Sequence, residues 1–187
     1  MDAESNLTNH FLIAMPGLQD TNFFHTVTYI CEHNESGAMG IVLNRPTELR
    51  LGDILQQLDI DTSGLEKGGP RVYLGGPVQT ERGFVVHTGE REWASTLQIT
   101  PRISVTTSRD VLDAIARGEG PEHAFIALGY AGWAGGQLEQ ELSANAWLSG
   151  PASEQIIFEL PPDQRWEAAA KLLGVDLNLL SGEAGHA

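Results

Sequence analysis

Apolar residues fall in short runs along this chain, and each run is closed by glycine, proline or a polar turn. His10–Pro16 (HFLIAMP) is such a run ending in Pro16-Gly17, which predicts a buried strand followed by a turn. Thr26–Glu32 (TVTYICE) is rich in β-branched and aromatic residues and predicts a second strand. His33-Asn34-Glu35-Ser36-Gly37 then supplies turn chemistry, and Ala38–Asn44 (AMGIVLN) a third strand, so the two pair as a hairpin. Pro46 fixes its own φ and drives Arg45 out of the helical region, which ends the hairpin abruptly. Leu51, Ile54, Leu55 and Leu58 recur at helical spacing and predict an amphipathic helix over Leu49–Leu58, followed by a loop over Asp61–Pro70.

The second half repeats this style. Strands are predicted at Val72–Leu74 and Gly83–Thr88, and on either side of Pro101 (QIT and ISVTT), with Trp93 in the connection Gly89–Leu97. Ser108 is placed to cap a helix over Arg109–Arg117, with Val111, Leu112 and Ile115 facing inward and Gly118 just past its end. The run HAFIAL leads into Gly129–Gly136, read as a tight glycine-rich loop, and a helix opens near Gly136. Ser149-Gly150-Pro151 reads as a break and Ile156–Leu160 (IIFEL) as the last strand. Pro162 starts a helix ending near Gly174, with Trp166, Ala169, Ala170 and Leu173 as its apolar stripe. Strands and helices alternate irregularly and a hairpin comes early. The expectation is an α+β fold: a compact sandwich of a mixed, largely antiparallel sheet and several packed helices. One domain over residues 1–187 is expected, with a polar arm at 1–8 and a flexible tail at 181–187.

Charge narrows the function. The 25 acidic residues against 11 basic give a formal net charge of −14, and the basic residues are scattered. Phosphate neutralisation drives nucleic-acid binding, so a duplex is not an expected partner, nor is an anionic membrane surface. A single cysteine, Cys31, excludes an internal disulfide. No basic region with a long apolar run opens the chain, and no apolar segment approaches the roughly 18 residues of a membrane span. The expected setting is the cytoplasm, with a monomer favoured.

Gly129–Leu148 is the stretch that most resembles a site, because a glycine-rich turn before a helix leaves backbone N–H groups uncommitted. It contains no Gly-Lys-Ser/Thr and no GxGxxG, and Glu139 and Glu141 in the first turns oppose an anion. Glu139 and Glu141 also diverge by about 200° around the helix, so they make no catalytic pair. Gln137, Glu141 and Asn145 read as a solvated stripe beside an apolar one of Leu138, Leu142 and Ala146. Cys31 and His33 alternate on one strand, which is at most half a metal site, and no HExxH, CxxC or GxSxG accompanies them. No metal, cofactor or catalytic set is expected. Asn44 and Arg45 offer acceptor and donor groups at a strand end, and Gly75-Gly76-Pro77 is either a tight turn or a close approach to a partner.

Three ordered blocks, Met39–Pro46 (MGIVLNRP), Tyr73–Val78 (YLGGPV) and Gly129–Leu148 (GYAGWAGGQLEQELSANAWL), resemble the AlgH/YqgE family of bacterial proteins. Phe11–Pro16 (FLIAMP), Phe23-Phe24 and Thr26–Glu32 fit the same pattern, and the likeness spans essentially the whole chain. The resemblance implies a cytosolic α+β sandwich. Family members are often labelled transcriptional regulators, yet no helix-turn-helix signature or basic face is visible, so any regulation is expected to be indirect. The favoured reading is an adaptor or regulatory protein that binds an unknown protein partner or small ligand at a shallow cleft. The residues expected to form it are Asn44, Arg45, Pro46, Gly75, Gly76, Pro77, Tyr130, Gly132, Trp133, Gly136, Gln137, Glu141, Asn145 and Trp147, with Trp133 exposed at its rim. The alternative is an enzyme of unassigned class in which Asn44 and Arg45 converge on the Gln137–Glu141 helix; direct DNA binding is the least favoured.

Overall fold

The structure, a computed structural model, describes residues 6–180. The extreme N-terminal arm and the 181–187 tail lie outside the described residues. Among the described residues ten strands run in chain order: β1 (His10–Ala14), β2 (Val27–Asn34), β3 (Gly37–Val42), β4 (Pro46–Arg50), β5 (Arg71–Leu74), β6 (Val78–Thr88), β7 (Thr96–Gln98), β8 (Ile103–Thr106), β9 (Ala124–Ala134) and β10 (Trp147–Pro151). The helices are α1 (Leu51–Gln57), α2 (Arg109–Ala116), α3 (Gln137–Ser143), α4 (Glu154–Phe158) and α5 (Pro162–Lys171), with a short 3-10 turn at Glu66–Gly68. The sheet order is β10-β1-β2-β3-β9-β6-β8-β7, while β5 adds to β9 in parallel and carries β4. Every other pairing is antiparallel, so the expected α+β architecture with a mixed, largely antiparallel sheet is the one observed.

Period-two alternation sends successive residues to opposite faces. On β1, Phe11 and Ile13 enter one core with Ile156, Ile157, Ala169 and Ala170 of α4 and α5. Leu12 and Ala14 enter another with Trp133, Leu138 and Trp147 beside α3. A third core joins Leu51 and Leu55 of α1 to Val111 and Ala114 of α2, over Val85 and Ile126. Helices thus cover both faces of the sheet, and β9 touches all three cores.

Three local expectations are overturned. Gly129–Trp133 is not a loop: it is the second half of β9, and only Gly135-Gly136 turns the chain. Buried Gly129, Ala131 and Trp133 alternate with the more open Tyr130, Gly132 and Ala134, which is a strand signal that the glycine count masked. Ser149-Gly150-Pro151 does not break the chain but pairs with β1 in β10. Ile156–Leu160 lies mainly in helix α4, where the Ser153 hydroxyl accepts from Ile156 N at 3.4 Å. A short apolar run is ambiguous between strand and helix, and the capping serine three residues ahead decides it.

The buried side of α5 holds a surprise. Arg165 is only 4% exposed; it donates to Leu43 O at 2.5 Å and lies over the rings of Tyr73 (5.1 Å) and Phe125 (5.3 Å). Carbonyl and aromatic faces replace water around its charge, and burial still lowers its pKa.

Candidate functional site

The three motif blocks meet; of the residues singled out in the sequence, Tyr130, Gly132 and Trp133 line the meeting place and the others do not. A groove of about 650 Å³ opens where β3, β9, β6 and β8 lie side by side. Met39 comes from the first block, Val78 from the second, and Tyr130, Gly132 and Trp133 from the third. Phe84 and Val105 complete the apolar floor, and Phe84 meets Tyr130 edge-on at 5.5 Å between ring centroids. Leu97 stands 41% exposed on the wall. α4 and α5 lie over β1, β2 and β9, which leaves this part of the same sheet face open.

Among the described residues that line the groove, Arg82 is the one cation and Glu32 the one carboxylate. The Arg82 guanidinium lies 5.6 Å above the Phe84 ring and makes two long hydrogen bonds, to Gln79 Oε1 (3.3 Å) and Thr107 Oγ1 (3.4 Å). Among the described residues no carboxylate lies within ion-pair distance of it. Sequence reasoning passed over Arg82, Phe84, Leu97 and Val105, which lie outside the family blocks. Their signal was available only in the pairing of β6 with β8 and β9.

Most of the other expected site residues build the fold. Asn44 Oδ1 accepts from Val27 N (3.0 Å) and its amide donates to His25 O (2.9 Å). Arg45 donates to the carbonyls of Thr21 (2.8 Å) and Phe24 (3.0 Å), so the pair before exposed Pro46 pins the 20–26 loop. That loop delivers Phe23 against Trp133 (5.8 Å) and Trp147 (5.4 Å), and His25 between Phe24 (3.8 Å) and Trp166 (4.0 Å). Gly75 and Gly76 are buried against β9, whereas Pro77 is exposed. A Cβ on Gly76 would collide with the Tyr130 carbonyl, and one on Gly129 would sit 2.5 Å from Gly76 O. The glycines permit two backbones to touch.

Trp133 and Trp147 are not exposed, at 6% and 4%, because their indoles pack into the α3 core with ring centroids 6.1 Å apart. Nor is Glu141 part of a solvated stripe. Its Oε1 accepts both indole N–H groups, each at 2.9 Å, and its Oε2 accepts from Gln137 Nε2 at 3.0 Å. Gln137 Oε1 in turn accepts from Ala134 N at 2.9 Å. Gly136 and Asn145 flank α3, both exposed and both with positive φ. Asn44 and Arg45 are thus committed to one set of structural hydrogen bonds, and Gln137 and Glu141 to another.

The half metal site also dissolves. Cys31 follows Tyr29 into the α4/α5 core, and the register shift of β2 between Ile30 and Glu32 turns His33 away from it. His33 instead accepts from Leu7 N at Nδ1 (2.9 Å) and turns Nε2 to Glu139 on α3 (3.3 Å). Burial, with Glu32 nearby, pushes the Cys31 thiol up to about 12. Among the described residues no three metal-ligating side chains cluster.

The AlgH-like family model matches residues 11–178. The chain belongs to that family. It is 60% identical over 187 residues to a UPF0301 protein of Thioalkalivibrio sulfidiphilus and 54% identical over 187 residues to one of Methylococcus capsulatus, in each case covering all of both chains. Its fold superposes on the solution structure of the AlgH protein from Pseudomonas aeruginosa with a TM-score of 0.80, at 52% identity, over 100% of this chain and 99% of that one. A crystal structure of a Corynebacterium diphtheriae protein, at 19% identity and a TM-score of 0.76 over 97% of this chain and 94% of that one, shares the fold. No helix among the described residues is long and apolar enough to cross a membrane.

Proposed function

We propose that this AlgH-like chain is a binding protein, not a catalyst, and that its working surface is the groove between β3, β9, β6 and β8. The observation that carries this reading is convergence: Met39, Val78 and Tyr130, one from each family block, line a single open depression. The floor takes an apolar or aromatic side chain, and Arg82 takes a carboxylate beside it. A partner segment presenting an apolar residue flanked by an acidic one fits both. Regulation by such a protein is indirect, in the cytoplasm, through the partner it holds. The high negative charge argues against DNA as that partner.

Site-specific photocrosslinking in cells tests the proposal. A photoreactive residue at Leu97, on the groove wall, is expected to give a discrete adduct that Met39→Glu and Arg82→Glu abolish. The same residue at Leu172, 58% exposed on the far helices, is the control. Equal adducts at both positions, or a Leu97 adduct that survives both substitutions, would refute the groove as the binding surface.

A further inference from the structure

A second hollow, separate in chemistry from the groove, lies between α1 and α2 over the sheet. It holds about 350 Å³, at the small end of ligand sites. Leu49, Ile54 and Leu58 wall one side, Leu112 of α2 the other, and Val85 and Leu128 form the floor. Leu49, Ile54, Leu112 and Leu128 are only partly buried although they pack on the core between these helices. Four large aliphatic side chains thus border a depression that opens to solvent.

The cause of the hollow is visible in the sequence. Gly83 occupies a β6 floor position, and a Cβ built on it would meet nothing within 4 Å. Its φ lies outside the left-handed range, so a side chain could stand there without backbone strain, and the glycine leaves that space open. Among the described residues no aromatic side chain lines it, which suits a branched aliphatic group.

Opposite charges stand at the rim. Glu81 has no ion-pair partner among the described residues. Arg109 is tied through Nη2 to Leu58 O (2.7 Å) and lies 4.0 Å from Asp113, which leaves Nη1 uncommitted. A monocarboxylate would meet Glu81 and Asp113 as well as Arg109, and an amine would meet Arg109. A zwitterion matches both signs.

We propose that this hollow binds a small aliphatic zwitterion of the size of free leucine, its side chain over Gly83, its carboxylate at Arg109 and its ammonium at Glu81. An engineered cavity of about 150 Å³ holds a benzene, so about 350 Å³ accommodates a branched chain of four or five carbons with its polar head. Nine non-hydrogen atoms with the head at the rim place the dissociation constant on the order of 1 mM.

Amide and methyl NMR titration of the full chain with leucine is the test. The expected result is a saturable shift confined to residues around Gly83, Leu112 and Leu128. 4-Methylpentanoate and 3-methylbutylamine, each lacking one charge, are expected to bind several-fold more weakly, as are Arg109→Gln and Glu81→Gln towards leucine. Gly83→Leu fills the hollow and abolishes the shift. If that variant melts early, Gly83→Ala, whose methyl meets open space, folds like the parent and weakens binding. No saturable response up to about 10 mM leucine, undiminished binding by the Gly83 variants, or equal affinity for the two single-charge analogues would each overturn the assignment.

Discussion

Glu141→Ala is the most discriminating perturbation of the fold. The carboxylate is half-exposed, yet one of its oxygens is the acceptor for two indole N–H groups on tryptophans that are 6% and 4% exposed. Removing it leaves two buried donors without a partner, each costing about 1–3 kcal/mol where water cannot reach. Water enters partly at the Glu141 side, so the expected loss is about 2–3 kcal/mol. For a chain of this length that lowers Tm by roughly 5–10 °C. Urea unfolding followed by tryptophan emission gives the free energy, and near-UV circular dichroism shows whether Trp147 keeps its edge-on packing against Phe23 and Trp133. Glu141→Gln keeps an acceptor for both indoles and is expected to lose only about 1 kcal/mol, the difference between charged and neutral hydrogen bonds. An exposed glutamate on a solvated helix face changes stability by no more than about 0.5 kcal/mol. A Glu141→Ala variant within that margin, with parental near-UV signal, would refute the pinning role.

Other outcomes follow from single residues. Gly76→Ala, whose methyl would collide with the Tyr130 backbone, is expected to cost at least about 2 kcal/mol by denaturant unfolding. The Cys31 thiol, pushed up to about 12 and 2% exposed, is expected to stay inert to a thiol-reactive dye in the folded protein and to react at once in denaturant. His87 is fully buried, bonded to Thr106 Oγ1 at 2.7 Å, and held below its ordinary pKa chiefly by desolvation. The unfolded chain therefore takes up a proton that native His87 refuses. Stability falls as pH drops through about 6.5, and falls no further from this source once native His87 also titrates. His87→Gln is expected to flatten the stability profile in that window, read from urea midpoints at a series of pH values.

The sequence by itself determined the class of fold and the family. Runs closed by glycine or proline marked the β2–β3 hairpin, helical spacing at Leu51, Ile54 and Leu55 marked α1, and the family blocks were complete enough to identify kinship. These signals are local, carried by a few consecutive residues, so they survive without knowledge of the neighbours. Where two local signals competed, the reading failed: the glycines of β9 outweighed its alternation, and the apolar run of α4 outweighed its capping serine. Tertiary structure decided what each notable side chain does. Asn44 and Arg45 could be read as a strand-end site until the 20–26 loop came back to satisfy them, and Glu141 as solvent-facing until β9 and β10 brought two indoles to it. The groove depends on β6 lying between β9 and β8, with Arg82 and Phe84 placed beside Met39 and Tyr130 from distant parts of the chain. A hydrogen bond or a groove is a relation between segments, and only the sheet's pairing order fixes which segments meet.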